Sequence, residues 1–182
     1  MRILGISGSL RSESLNTRLL RAAVAETPVG SELVIWDGLA DVPPYDGDHD
    51  VEPAPSAVQR LRDALAAADA VLFVTPEYNS SIPGQLKNAI DWASRPFATN
   101  PLRGKPVAVA GASTNAFGAL WAQDDLRRVV ARLGARVQET GLPVPRAESR
   151  FDESGALVDE EVRAGLRNLL ESLMTEAVPV AA

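Results

Sequence analysis

Five short apolar runs alternate with segments of helical periodicity along this chain of 182 residues. The runs are short, largely apolar and rich in β-branched residues, which is typical of strands buried on both faces. They lie at residues 3–7, 33–36, 70–75, 107–111 and 135–137. Repeated strand–helix alternation predicts an α/β fold with a doubly wound parallel sheet and helices on both faces.

The helical segments carry apolar residues three and four positions apart, over residues 16–26, 58–68, 86–93, 126–133 and 162–173. Five strands favour flavodoxin-like order over the six-stranded dinucleotide-binding order. We find no sign of repeats or of an internal boundary and expect residues 1–182 to form a single domain. Asp124 and Asp125 are predicted to begin the fourth helix, where carboxylates suit the helix dipole.

Two proline-containing segments, residues 37–56 and 140–159, are predicted to lie on the surface without regular structure. The first is either a solvated connector or, through Pro44 and Tyr45, the edge of a substrate pocket. Its His49 is the only histidine of the chain and stands between two aspartates. We expect it to be exposed, which excludes a histidine-based nucleophile system and a multi-histidine metal site.

Charge and cysteine content narrow the functional classes. The formal net charge of −6 argues against a general partner for nucleic acid or an anionic membrane. No cysteine is present, which excludes disulfides, thiol catalysis and cysteine metal sites. The first residues run directly into a strand and leave no room for a signal peptide, so we expect a cytoplasmic protein.

The first loop, residues 8–17, follows the first strand and enters a helix. A helix N-terminus binds anions through free N–H groups and the helix dipole. Ser9, Ser14, Asn16 and Thr17 add polar side chains, and Arg11 adds a fixed charge that suits phosphate oxygens. The spacing matches neither the Walker loop nor the dinucleotide fingerprint. A phosphate site competes here with a plain turn in which serine and asparagine only cap the helix.

The second loop, residues 76–84, follows the third strand and is stiffened by Pro76 and Pro83. The ring of Tyr78 could stack on a heteroaromatic ligand, and backbone groups from Glu77 to Asn79 could reach its polar edge. The alternative is a rigid loop that packs on its own helix and leaves Tyr78 as a surface aromatic.

The third loop, residues 111–118, is small and polar except for Phe117, and is either the far wall of the same crevice or a glycine-rich connector. Few side chains suited to catalysis accompany these three loops. Such a chain indicates a cofactor that carries out the chemistry itself.

Two motifs resemble those of the NADPH-dependent FMN reductase family, flavodoxin-like proteins that include quinone, azo and chromate reductases. They read G-S-L-R-x-x-S-x-N from Gly8 and P-E-Y-N-x-S-I-P-G-x-L-K-N-A-I-D-W from Pro76. The resemblance implies FMN as cofactor. It implies that the phosphate is held by Ser9, Arg11, Ser14, Asn16 and Thr17, and that the isoalloxazine lies on Pro76, Glu77, Tyr78 and Asn79 with Ser113 facing it.

The activity implied is that of an NAD(P)H oxidoreductase, which passes a hydride from NADPH or NADH to FMN and then electrons to a quinone or a similar small acceptor. No residue of the chain is predicted to act as a catalytic acid or base. The alternative is a flavodoxin-like electron-transfer protein without nicotinamide turnover. The family's third loop often carries an arginine where this chain has Trp121, which predicts weak discrimination between NADPH and NADH.

The resemblance also implies a homodimer or homotetramer, with the flavin near a subunit interface. Trp92 lies off the apolar face of its predicted helix. A large exposed aromatic often marks an interface, so we expect Trp92 to lie at this subunit interface. The alternative is that Trp92 packs inside its own subunit.

Overall fold

Parallel strands form one sheet in a computed structural model that describes residues 1–177. The strands are β1 (Arg2–Ser7), β2 (Glu32–Trp36), β3 (Ala70–Val74), β4 (Pro106–Ala112), β5 (Arg136–Val137) and β6 (Leu142–Val144). Their order is β2-β1-β3-β4-β5, and β6 also pairs with β4. Because β5 borders the first residues of β4 and β6 borders its last, the two share one position. The predicted five-stranded flavodoxin-like order is confirmed.

Five helices cover both faces of this sheet, as predicted. They are α1 (Leu15–Ala25), α2 (Ser56–Ala67), α3 (Gly84–Ala93), α4 (Leu120–Arg132) and α5 (Glu160–Ala177). Successive strand residues point to opposite faces, so Ile3 and Leu72 pack in the core beneath α1 and α5. Leu4 and Phe73 pack in the other core, beneath α2, α3 and α4. The fourth helix, α4, begins at Leu120 rather than at Asp124, so its predicted start is wrong.

The two long segments contain more regular structure than predicted. Residues 140–159 include β6 and a short 3₁₀ turn at Ala147–Arg150. Pro143 is tolerated in β6 because this strand lies at the sheet edge. Residues 37–56 include 3₁₀ turns at Gly38–Asp41 and Gly47–His49. The expectation that both segments lack regular structure is therefore wrong.

Trp92 is fully buried within its own chain, and its predicted place at a subunit interface is wrong. Its indole Nε1–H donates to the carbonyl oxygen of Pro43 at 2.8 Å. Its ring also meets that of Tyr45 edge-on, with centroids 4.9 Å apart. The segment around residues 43–45 thus covers the face of α3 that the sequence pattern leaves apolar but unpartnered. The core positions Leu86 and Ile90 of α3 are buried, as predicted.

One buried carboxylate joins α1 to α5. The Glu26 side chain is only 6% exposed and accepts hydrogen bonds from Arg163 Nε at 2.6 Å and Arg167 Nη1 at 2.5 Å. Burial alone would raise the pKa of Glu26, but the two arginines outweigh that effect and hold the pKa below its ordinary value. The charged form is therefore the one that the fold stabilises.

Replacing this carboxylate should destabilise the protein in a pH-dependent way. We expect Glu26→Gln to lower the free energy of unfolding at neutral pH by about 1–2 kcal/mol, because two charge-assisted hydrogen bonds weaken while both arginines stay partly solvated. A lowered pKa in the folded state contributes stability above the unfolded pKa and loses it as pH falls through the folded pKa. Urea unfolding should therefore show the gap between wild type and variant closing in acid. Exposed Glu139→Gln is the control, and a gap that widens in acid would contradict the assignment.

Candidate active site

A cleft of about 350 Å³ opens at the edge of the sheet where β1, β3 and β4 end. All three predicted loops reach it, so the expectation that the third loop closes the same crevice is confirmed. The predicted site residues that line it are Ser9, Arg11, Ser14, Asn16, Pro76, Glu77, Tyr78 and Ser113. Thr17 and Asn79 are not among the lining residues. The role of these residues toward FMN remains a prediction.

Ser14 caps the N-terminus of α1. Its extended backbone ends the first loop, and its Oγ accepts a hydrogen bond from the Thr17 N–H at 3.2 Å. The Thr17 hydroxyl lies 2.9 Å from the Ser7 hydroxyl, at the end of β1. Both predicted phosphate ligands thus already have partners within the chain, and Thr17 ties the helix to the strand before it.

Asn16 is nearly fully buried and holds the first loop against the third. Its Nδ2 donates to the carbonyl oxygen of Ala112 at 2.9 Å, and its Oδ1 accepts from the Ala112 N–H at 2.8 Å. Sequence reasoning predicts Asn16 as a phosphate ligand and misses this structural role. The sequence does not reveal this role because Ala112 lies 96 positions away, and an asparagine at a helix start can equally cap the helix or bind a ligand.

The same helix start leaves donors for an anion. Within residues 1–177, no acceptor is paired with the backbone N–H groups of Leu15 and Asn16, as expected for the first residues of a helix. Arg11 is exposed and has no carboxylate within 4.0 Å in the described part of the chain. Free N–H groups, the positive end of the helix dipole and a free guanidinium together suit a phosphate dianion. This end of the cleft fits the phosphate of FMN.

The second loop is a tight two-residue hairpin turn. Tyr78 and Ser81 exchange backbone hydrogen bonds of 2.9 and 3.1 Å, and Asn79 and Ser80 between them have φ of 52° and 61°. Two successive left-handed residues are typical of a type I′ turn. The turn leaves the Tyr78 ring 48% exposed beside the cleft, where it is free to stack on a planar ligand.

Glu77 does not present a free carboxylate to the cleft. Its Oε2 accepts from the N–H groups of Trp121 at 3.1 Å and Ala122 at 3.3 Å, at the start of α4. The capping position of that helix is Ala119, which has no side-chain acceptor. Glu77 therefore caps α4 from another loop, and Ser81 adds a second tie by donating to Asp125 Oδ2 at 2.7 Å. A cap supplied from 44 positions away carries no local sequence signal.

The third loop is fixed by β6 and by its own asparagine. The Ser113 N–H donates to the Val144 carbonyl oxygen at 3.1 Å, and Asn115 Oδ1 accepts from the N–H groups of Phe117 and Gly118. Gly118 has φ of 61°, and a Cβ there would lie 2.5 Å from the Val144 nitrogen. Only glycine fits this approach of the loop to the edge strand.

The other candidate functional groups in residues 1–177 are a histidine and potential metal ligands. His49 lies far out on the surface, as predicted, with its side chain 73% exposed. No group of three or more potential metal ligands occurs among these residues. None of the helices in these residues is both long and apolar enough to span a membrane.

The fold and cleft define a flavodoxin-like α/β protein with a ligand site at the carboxyl edge of its sheet. A family model described as NADPH-dependent FMN reductase matches residues 1–148, and the chain belongs to that family. It is 41% identical over 174 residues to an NAD(P)H-dependent FMN reductase of Pseudomonas aeruginosa, covering 95% of this chain and 93% of the relative.

Two further similarities agree with this placement. A 2-hydroxy-1,4-benzoquinone reductase of a Burkholderia species is 37% identical over 172 residues, covering 94% of this chain and 93% of the relative. The solved structure of the flavoenzyme NAD(P)H:(acceptor) oxidoreductase FerB from Paracoccus denitrificans is 32% identical. It superposes with a TM-score of 0.84 over 97% of this chain and 96% of that one.

The phosphate end of the cleft is tested through Arg11. We expect Arg11→Ala to weaken FMN binding by roughly 10- to 100-fold, because one charge-assisted contact is worth about 1.5–3 kcal/mol. Quenching of flavin fluorescence measures the dissociation constant, and an unchanged melting temperature would show that the fold is intact. Arg132→Ala, at an exposed arginine in the last turn of α4, is the matched control. Equal FMN affinity in both variants would contradict the phosphate assignment.

The cap on α4 is tested through Glu77. Glu77→Ala should cost about 0.5–2 kcal/mol of stability, as loss of a helix cap does, and should weaken FMN binding because the second loop loses its anchor. Glu77→Gln should restore most of both, since an amide oxygen still accepts the two hydrogen bonds. Glu148→Ala removes a carboxylate from the same cleft without touching the cap. An effect of Glu148→Ala as large as that of Glu77→Ala would point to charge alone.

Proposed function

We propose that the protein is an FMN-dependent NAD(P)H oxidoreductase that reduces a quinone or a similar small acceptor. One observation carries the proposal: a single cleft is lined both by the start of a helix, with free N–H groups and Arg11, and by the exposed ring of Tyr78. A molecule with a phosphate on a flexible arm and a flat ring system matches both features. Membership of the NADPH-dependent FMN reductase family supports FMN as that molecule.

The chain's own residues would bind and orient. The N-terminus of α1, Ser9 and Arg11 would hold the phosphate, and the backbone of residues 76–79 would meet the ring. Ser113 would face the ring from the third loop. When bound, FMN supplies the hydride-accepting and electron-donating chemistry. We assign no residue of the cleft a role as a catalytic acid or base.

The acceptor class follows from the relatives. Those most similar in sequence include quinone reductases and an FMN reductase. The cleft is open beside Tyr78, which gives a planar acceptor room to stack. The choice between NADPH and NADH rests on the expectation at Trp121, which is 43% exposed at the start of α4. We expect preference for NADPH to stay below roughly 100-fold.

We also propose that residues 1–182 form one FMN-binding domain, since every described strand joins one sheet. A homodimer or homotetramer remains our proposal, although Trp92 no longer supports it. Its support is a group of exposed apolar side chains beside the cleft, Phe117, Leu120 and Trp121. Light scattering at micromolar concentration would decide it. A cytoplasmic location remains a prediction.

Steady-state kinetics test the activity. The FMN-loaded protein should oxidise NADPH and NADH in the presence of a simple quinone. If donor and acceptor enter by the one open side of the cleft, they bind in turn, and double-reciprocal plots at several quinone concentrations should be parallel. Intersecting lines would require two separate binding places. A yellow protein that oxidises neither nucleotide would instead be an electron carrier of the flavodoxin kind.

A further inference from the structure

A second cleft, of about 580 Å³, runs along the outer side of α1. It begins at residues 12 and 13, passes down the helix to Glu26, and is closed on its far side by residues 154–157. Glu13 and Arg18 line both this cleft and the first one, so the two share a wall at the start of α1. Its volume lies within the usual range of small-molecule sites.

The cationic wall of this cleft includes Arg18, Arg21 and Arg163. Arg163 is committed to the buried Glu26. Arg18 is paired with Glu13, whose side chain is largely exposed, and such a surface pair is worth only about 0–1 kcal/mol. Arg21 has no carboxylate within 4.0 Å among residues 1–177. Arg21 is therefore free for an anion, and Arg18 can exchange Glu13 for one at small cost.

Part of the remaining wall is apolar and mostly built from small side chains, beside Ser12, Ser154 and Gly155. The carboxylates of Glu13 and Glu26 also line the cleft, and both are paired with arginines. Ala22 and Ala25 face the cleft from α1, and Ala156 and Leu157 line it from the loop opposite. Small side chains allow a flat ring to approach the helix and the loop closely. A cationic group beside a flat apolar surface is the arrangement that recognises an adenosine phosphate, which carries an anionic group next to a flat ring.

We propose that the second cleft binds the adenosine phosphate portion of a dinucleotide. The inference rests on the proposed function, because the shared wall lies where the FMN phosphate is placed. Two dinucleotides carry an adenosine phosphate. In FAD it is joined directly to the phosphate of the flavin half, and in NADPH it is joined to the phosphate of the nicotinamide half. Arg21 and Arg18 would hold the phosphate, and the base would lie on Ala25 and Leu157.

ADP is the probe, titrated by calorimetry into the FMN-loaded protein. Arg21→Ala should weaken ADP binding roughly 10-fold, through loss of one charged contact. Ala25→Trp should abolish it by filling the cleft from an exposed helix position. The controls are Arg132→Ala, on the opposite layer, and Val24→Trp, an exposed neighbour of Ala25 that does not line the cleft. FMN affinity should be unchanged in all four, because Arg21 and Ala25 do not line the first cleft.

Two further measurements identify the source of the group. If it is FAD, Ala25→Trp should reduce the ability of FAD to displace FMN. If it is NADPH, the same variant should raise the KM for NADPH. The proposal is overturned if millimolar ADP does not bind the wild type, if the variants bind ADP like their controls, or if neither dinucleotide responds to Ala25→Trp. Failure of the proposed function would show differently, as FMN that does not bind the wild type.

Discussion

The paired hydrogen bonds between Asn16 and the backbone of Ala112 hold the ligand edge of this protein together. They join the first turn of α1 to the last residue of β4, across 96 positions of the chain. Both partners are buried, so loss of the asparagine amide would leave an N–H and a carbonyl unsatisfied, at about 1–3 kcal/mol each. The donors at the start of α1 are thereby held at a set distance from the third loop.

The other two loops depend on similar long-range ties. Glu77 fastens the second loop to α4, and the Ser113 N–H fastens the third loop to β6. Within the second loop, the backbone hydrogen bonds between Tyr78 and Ser81 enclose two left-handed residues, Asn79 and Ser80, whose conformation is unfavourable alone. Each of the three loops that form the cleft is therefore tied by hydrogen bonds to a part of the chain distant in sequence: β4 for the first, α4 for the second and β6 for the third.

The sequence allows the sheet and its ligand edge to be predicted because burial on both faces leaves a strong local pattern. Residues 70–74 are all apolar, and a run of this length between polar or proline-containing segments favours a strand buried on both faces. The parts that were missed depend on distant partners. Strand β6 has only three residues, one of them a proline, and it is a strand only because it pairs with the free edge of β4. The cover of Trp92 comes from residues 43–45, which no helical periodicity can reveal.

For the site, Asn16 shows most clearly what cannot be predicted from the sequence. A polar residue in the first turn of a helix at a phosphate loop is equally compatible with binding a ligand and with holding the loop. Its amide is already engaged, while its backbone N–H remains without a partner in the described residues. The residue thus contributes to the site through its main chain, and the side chain fixes where that main chain lies.

Throughout the cleft, as at Asn16, some side chains fix the position of the loops while other groups remain free to contact a ligand. The reaction that the family carries out belongs to its cofactor, so the chain has to supply position rather than proton transfer. Position depends on residues whose side chains are already hydrogen-bonded within the chain, such as Asn16 and Glu77, as much as on Arg11, which has no carboxylate partner in residues 1–177. A protein of formal net charge −6 places two arginines without a carboxylate partner in residues 1–177 along one helix: Arg11 just before the start of α1 and Arg21 in its second half. Under the proposed function, this positive charge would favour phosphate-bearing molecules at this edge although the protein as a whole is negative.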